Sequence, residues 1–120
     1  MDNPATTPPA PQTLTPAPAG PGRIVHYRLT EEDAERINRR RTDSASIRDR
    51  MAQQQWPVGA QAHIGNAVTP GDYCPMVVVR CWDGTTRVNG QVFLDGNDTY
   101  WVTSAELGAI AGTWCWPPRT

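Results

Sequence analysis

Cys74 and His63 are the nearest thing to a nucleophile and a base in this 120-residue chain. A thiolate–imidazole pair works only when the two side chains meet and backbone donors face the developing oxyanion. Nothing in the sequence places these two together, and no glycine loop accompanies them. The patterns HExxH, GxSxG and the phosphate-cradling glycine loop do not occur. Asp72, Asp83, Asp95 and Asp98 flank the apolar runs and as pairs could do acid–base work. Three of the four stand beside a glycine, however, and Asp next to Gly is what tight turns require. DGNDTYWVTSAE runs from Asp95 to Glu106 and ends like a calcium loop, but its sixth position is Tyr100 where such a loop needs glycine. Cys74, Cys81 and Cys115 show no CxxC spacing, and His26 and His63 are isolated, so no zinc site is expected. These residues predict no catalysis, no metal and no cofactor.

The five tryptophans are the loudest feature. Large aromatics give the most burial per residue, and a small core accounts for Trp101 and Trp114. Trp82 and Trp116 alternate with apolar neighbours and are free to face outward. With Arg80 and Arg87 nearby they would form a stacking platform for a base, a nucleotide or a peptide. Asn89 and Gln91 add planar hydrogen-bonding groups on the same strand as Phe93. The candidate contact residues are therefore Arg80, Trp82, Arg87, Asn89, Gln91 and Trp116.

Net charge is −1 and every basic side chain is arginine. No global field draws in nucleic acid or an anionic membrane. Arg39, Arg40 and Arg41 form a local cluster, but acids just upstream offset it, and i, i+4 pairs such as Glu32–Arg36 and Glu35–Arg39 suit a solvated helix face. Nucleic acid is thus not an expected partner. No apolar run approaches membrane-spanning length. The N-terminus lacks the basic and apolar regions of a secretory signal. A reducing, cytoplasmic setting with free, buried thiols is the expectation.

The elements that would position these residues fall into three regions. Residues 1–22 hold seven prolines and few large apolar side chains, a composition that predicts a disordered tail. Residues 23–55 begin with the β-prone RIVHYRL and continue as a charged helix. Thr30 is its N-cap, Glu31, Glu32 and Asp33 fill the first turn, and Asp33 stands at the capping-box position. Thr42-Asp43-Ser44 either breaks this helix or recaps a second one carrying Ile47 and Met51. Trp56-Pro57 should end it. In residues 56–120 the period changes to two. Pro70-Gly71 marks a turn. MVVVRCW (Met76–Trp82), VNGQVFLD (Val88–Asp95) and TYWVTS (Thr99–Ser104) form a meander joined by Asp83-Gly84 and Asp95-Gly96-Asn97. Along the first strand Val77, Val79 and Cys81 should face one way and Met76, Val78, Arg80 and Trp82 the other. A further strand comes from residues 23–29 or 60–68. The predicted fold is mainly β with a short N-terminal helical element (α+β), a small SH3-like barrel or half-open antiparallel sheet.

The runs VHYRLTEEDAERINRRR, HIGNAVTPGDYCPMVVVRCW and VNGQVFLDGNDTYWVTSAELGAIAGTWCWP resemble a group of small proteins encoded by actinobacterial phages and prophages. The likeness spans about residues 24–117, and LDGNDTYWVTS followed by GTWxWP is its specific signature. Where the group reads GTWHWP, this chain has Cys115. The resemblance implies a phage origin, with which the all-arginine usage of a high-GC host agrees. It transfers no catalytic or binding residue. The expected function is non-enzymatic binding in the host cytoplasm, blocking a host protein or sequestering a small, nucleotide-type ligand to inhibit a host defence. The alternative is a minor head or tail component of the virion. Edge strands and surplus tryptophan also make self-association to a homo-oligomer an expectation.

Overall fold

The computed structural model describes residues 17–52 and 62–119. Its elements follow in the order β1 (Ile24–Arg28), α1 (Glu31–Ala52), β2 (Tyr73–Cys81), β3 (Val88–Phe93), β4 (Thr99–Ala105) and β5 (Trp114–Cys115). The strands form one antiparallel sheet in the order β4-β3-β2-β1-β5. This is the mainly β, α+β architecture that the change of period predicts. The expected meander is present as β2–β3–β4, and β1 is the further strand. Residues 62–69 add only an isolated bridge, Gly65 to Gly96. Beyond β4 the chain returns to the sheet: Leu107 bridges Trp114 in parallel, so one end is drawn together while the sheet stays open.

One face of the sheet is the core. Val25, Tyr27, Met76, Val78, Val88, Val92, Tyr100, Val102 and Trp114 are all buried there, with Ala34 and Ile37 of α1. Full burial of such a side chain contributes roughly 1.5–3 kcal/mol. Trp114 is wholly enclosed, and its Nε1–H donates to the Thr86 carbonyl at 2.7 Å, which satisfies its one polar atom. Gly90 lies on this face because nothing larger fits: a Cβ there would stand 2.6 Å from Met76 Cγ. The Pro70-Gly71 turn forms as expected, with Gly71 at φ 91°, a region open to glycine at no steric cost.

The helix start is the predicted capping box. Asp33 N–H donates to Thr30 Oγ1 at 2.9 Å, and Thr30 N–H donates to Asp33 Oδ2 at 3.0 Å. The helix then runs through Thr42-Asp43-Ser44 without the break or recap those residues permit. Ser44 is buried and its Oγ accepts the His63 N–H, so this residue is used inside the domain and frees no turn. The expected helix end at Trp56-Pro57 and the Ile47 and Met51 side chains lie outside the described residues. α1 is not long and apolar enough to cross a membrane.

Two irregularities change which side chains face out. The β2–β3 register shifts between Val78 and Arg80, and the β3–β4 register between Val88 and Gly90. Strict alternation along β2 therefore holds only as far as Val78. The extra residue reverses the phase, so Val79 and Arg80 are both exposed and Cys81 packs against the core. In the second bulge Ser104 adopts φ 54°, and its N–H is taken up by Asn89 Oδ1 at 2.8 Å.

Two further expectations are corrected. Trp101 is 46% exposed and not part of the core. Tyr100 and Val102 take the core side of β4, and strand geometry then sends Trp101 to the opposite face. The ordered domain also begins earlier than residue 23. Ala19 is 1% exposed within the core cluster, and Gly22 N–H donates to the Val78 carbonyl at 2.7 Å.

Candidate functional site

Because α1 covers only one side of the sheet, the outer face has no layer upon it among the described residues. Register fixes its rows. Trp101 stands opposite Gln91, Gln91 opposite Val77, and Val77 opposite Ile24. The next row brings together Thr99 and Phe93, and His26 with Pro75 and Cys115. Five of the large side chains here are about half exposed: Ile24, Tyr73, Val79, Phe93 and Trp101. The Arg28 guanidinium lies 5.2 Å from the Tyr73 ring centroid and is itself tied to the Gly71 and Ala109 carbonyls. One margin of the face is therefore cationic and fixed.

The predicted contact residues are partly gathered here. Gln91 lies in the outer-face row, half-buried between its neighbours. Arg80 is exposed opposite Asn89 and stacks over Trp82, 5.2 Å from the ring centroid. Trp82 and Arg87 line a cleft of about 290 Å³ with Thr85 and Ser104. Arg87 is exposed and pairs with Glu106 at 3.3 Å, an ion pair worth little in water. Asn89 is committed to the Ser104 bulge. Trp116 is not brought to this group. It follows β5 on the core side, packed against the core cluster, with its indole meeting Trp114 edge-on at 5.7 Å. Phe93, Trp101, Tyr73, Val79 and Ile24 were not among the predicted contacts. The alternation of Asn89, Gln91 and Phe93 carried the signal for Phe93. Tyr100-Trp101 carried none, since two consecutive aromatics do not say which one is inside.

Two buried carboxylates clamp the helix to the sheet. Asp33 Oδ2 accepts the Tyr27 hydroxyl at 2.6 Å, and Oδ1 accepts the Tyr100 hydroxyl at 2.8 Å. Burial alone would raise the Asp33 carboxyl, but the Thr30 N–H and the two phenols hold it below the ordinary carboxylate range. Burial, and then the Asp33 carboxylate, push the Tyr27 phenol up; burial also raises Tyr100, where the Arg36 guanidinium, donating to its hydroxyl at 3.3 Å, opposes the rise and Asp33 supports it. Asp98, whose side chain is 5% exposed, meets Arg40 and Arg41 at 3.0 Å each. Here too burial opposes ionisation, and the Arg41 and Arg40 guanidiniums win, lowering the carboxyl. The turn role expected of Asp98 is thus an anchoring role, and two of the three clustered arginines are occupied by it. A cleft of about 650 Å³ opens beside this anchor, lined by Arg40, His63, Phe93, Asn97 and Asp98 among others.

All three cysteines are free thiols, with Cys74 buried and Cys81 and Cys115 half-buried. Among the described residues no three His, Cys, Asp or Glu side chains converge as a metal site would require. The site this geometry defines is a surface: an open, aromatic-rich sheet face edged by arginines. No protein-family model, curated protein or solved structure matches the chain.

Proposed function

We propose that this chain is a phage-encoded, non-enzymatic binding protein that acts in the host cytoplasm by covering a host protein with its outer sheet face. The observation that carries the reading is the half exposure of Phe93, Trp101, Tyr73, Val79 and Ile24 on the side opposite α1. Large apolar side chains of roughly 150–250 Å² each, half exposed, leave on the order of 500 Å² in the open. That is at the upper end of what monomers normally show. Exposed aromatics with arginine at the rim are also the composition of interface hot spots. The phage origin rests on the resemblance of the LDGNDTYWVTS and GTWxWP segments. The Leu107–Trp114 bridge supports reading the open sheet as a half-closed SH3-like barrel. A nucleotide-type ligand is the second form of the reading, favoured by the Arg80–Trp82 stack.

The test is cross-linking mass spectrometry during infection, comparing the wild type with Phe93→Glu/Trp101→Glu. The wild type should cross-link one host protein through residues of the outer face. The double variant, melting within a few degrees of wild type, should lose that cross-link. Retention of the same cross-link by the variant would refute the proposal. So would recovery of the protein at fixed copy number in purified particles, which is the mark of a virion component. If instead a nucleotide from infected-cell extract raises the melting temperature and Trp82→Ala abolishes the shift, the ligand-trapping form is correct.

A further inference from the structure

The segment Ala17–Gly22 has neither helix nor strand, yet it is held to the domain at several points. The Trp116 Nε1–H donates to the Ala17 carbonyl at 2.8 Å. The Arg23 guanidinium covers the same indole, 4.8 Å from its centroid. Ala19 is buried in the core cluster. Val78 N–H donates to the Arg23 carbonyl at 2.9 Å, just beyond the segment. Space remains on both sides. A cleft of about 210 Å³ separates Pro18–Gly20 from the Cys81–Thr85 loop. Trp116 lines a second cleft, of about 530 Å³, with Leu107, Gly108, Ala109 and Cys115.

A proline lacks the N–H that would let a segment join a sheet, but its neighbours' carbonyls stay free as acceptors. Flanking prolines also favour the extended conformation in advance, so little entropy is lost on docking. An aromatic groove that presents a donor to such a carbonyl is the general means of holding a proline-rich peptide. Ala17 is flanked in this way by Pro16 and Pro18, and the same triplet recurs as Pro9-Ala10-Pro11. The ligand motif is therefore written twice in the chain.

We propose that Trp116, Arg23 and the Cys81–Thr85 loop form a binding groove for proline-flanked extended segments, and that its occupant is this chain's own segment at Ala17–Gly20. The groove is separate from the outer sheet face. Its occupant is tethered, so a free peptide competes against an effective concentration in the mM range.

The experiment uses the full-length, 15N-labelled chain and the Trp116 indole N–H as reporter, with the enclosed Trp114 indole as a fold control. Pro9→Gly/Pro11→Gly/Pro16→Gly/Pro18→Gly loosens both tethered copies of the motif, and the Trp116 indole proton should then exchange roughly tenfold faster than in the wild type. A synthetic peptide of residues 7–19, added at about 1 mM to match the tethered concentration, should restore slow exchange. The same peptide with glycine in place of proline should not. Trp116→Phe provides a second readout, since it keeps a ring and removes the donor: the Gly22 amide, which donates to the Val78 carbonyl at 2.7 Å, should exchange several-fold faster. The proposal is overturned if the loosened variant keeps the wild-type Trp116 exchange. It is equally overturned if the glycine peptide restores protection as well as the proline one, if neither does while Trp114 is unchanged, or if Trp116→Phe leaves the Gly22 amide as protected as before.

Discussion

Replacing Asp33 by alanine should strongly destabilise this domain, although the residue lies in the first turn of a mostly polar helix. The carboxylate accepts hydrogen bonds from Tyr27 and Tyr100 and from the Thr30 N–H. The two tyrosines are 4% and 6% exposed, so water does not readily replace the lost acceptor. A buried hydroxyl left without a partner costs about 1–3 kcal/mol. Loss of the reciprocal cap adds about 0.5–2 kcal/mol. Relief of the buried charge offsets part of this, which leaves a net loss of about 2–4 kcal/mol. Domains of this size hold only about 5–15 kcal/mol in all. Urea unfolding followed by tryptophan fluorescence measures the change. The reasoning also fixes a sign. Tyr27→Phe destabilises the wild type, but in the Asp33→Ala background it removes the orphaned hydroxyl and should recover stability, whereas the Tyr100 hydroxyl keeps the Arg36 guanidinium as a partner. An Asp33→Ala/Tyr27→Phe double variant less stable than Asp33→Ala alone, or a single Asp33→Ala loss below about 1 kcal/mol, would refute the account of this cluster.

Acid should act through the same groups. The Asp33 and Asp98 carboxyls lie below their ordinary values in the fold, so their stabilisation is present above the unfolded value near pH 4 and disappears as pH falls through the lower folded values. The stability difference between wild type and Asp98→Asn should be constant from about pH 5 to 8 and shrink below about pH 4; a difference that persists unchanged in acid would contradict this. Arg41, 9% exposed in its pair with Asp98, should cost about 3–5 kcal/mol when changed to alanine, measurable by the same urea titration. Trp114→Ala should cost about 3–5 kcal/mol, whereas Trp101→Ala on the open face should cost under about 1.5 kcal/mol; equal losses would return Trp101 to the core. Burial and then Asp72 push the Cys74 thiol up, so at pH 8 it should be the slowest of the three cysteines to react with a disulfide reagent, as mass spectrometry of the labelled peptides would show.

The sequence by itself determined the local structure. The capping box was legible at Thr30 and Asp33 because both partners lie three residues apart. The Pro70-Gly71 turn and the meander were legible because proline, glycine and a period of two act over a few residues. The absence of the known catalytic patterns was equally plain. Tertiary structure alone decided which face of the sheet the helix covers. A strand with apolar side chains on both sides, such as YCPMVVVRC, fits either answer, and TYWVTS offers two aromatics for one core position. The bulges at Val79 and Ser104 were invisible for a related reason: an extra residue changes the phase without changing the composition. Asp98 looked like one more turn aspartate, since its partners, Arg40 and Arg41, stand more than fifty residues away in the chain. Trp116 looked like an exposed stacking surface, because nothing in a list of residues shows that a proline-flanked carbonyl ninety-nine positions earlier comes back to meet its indole.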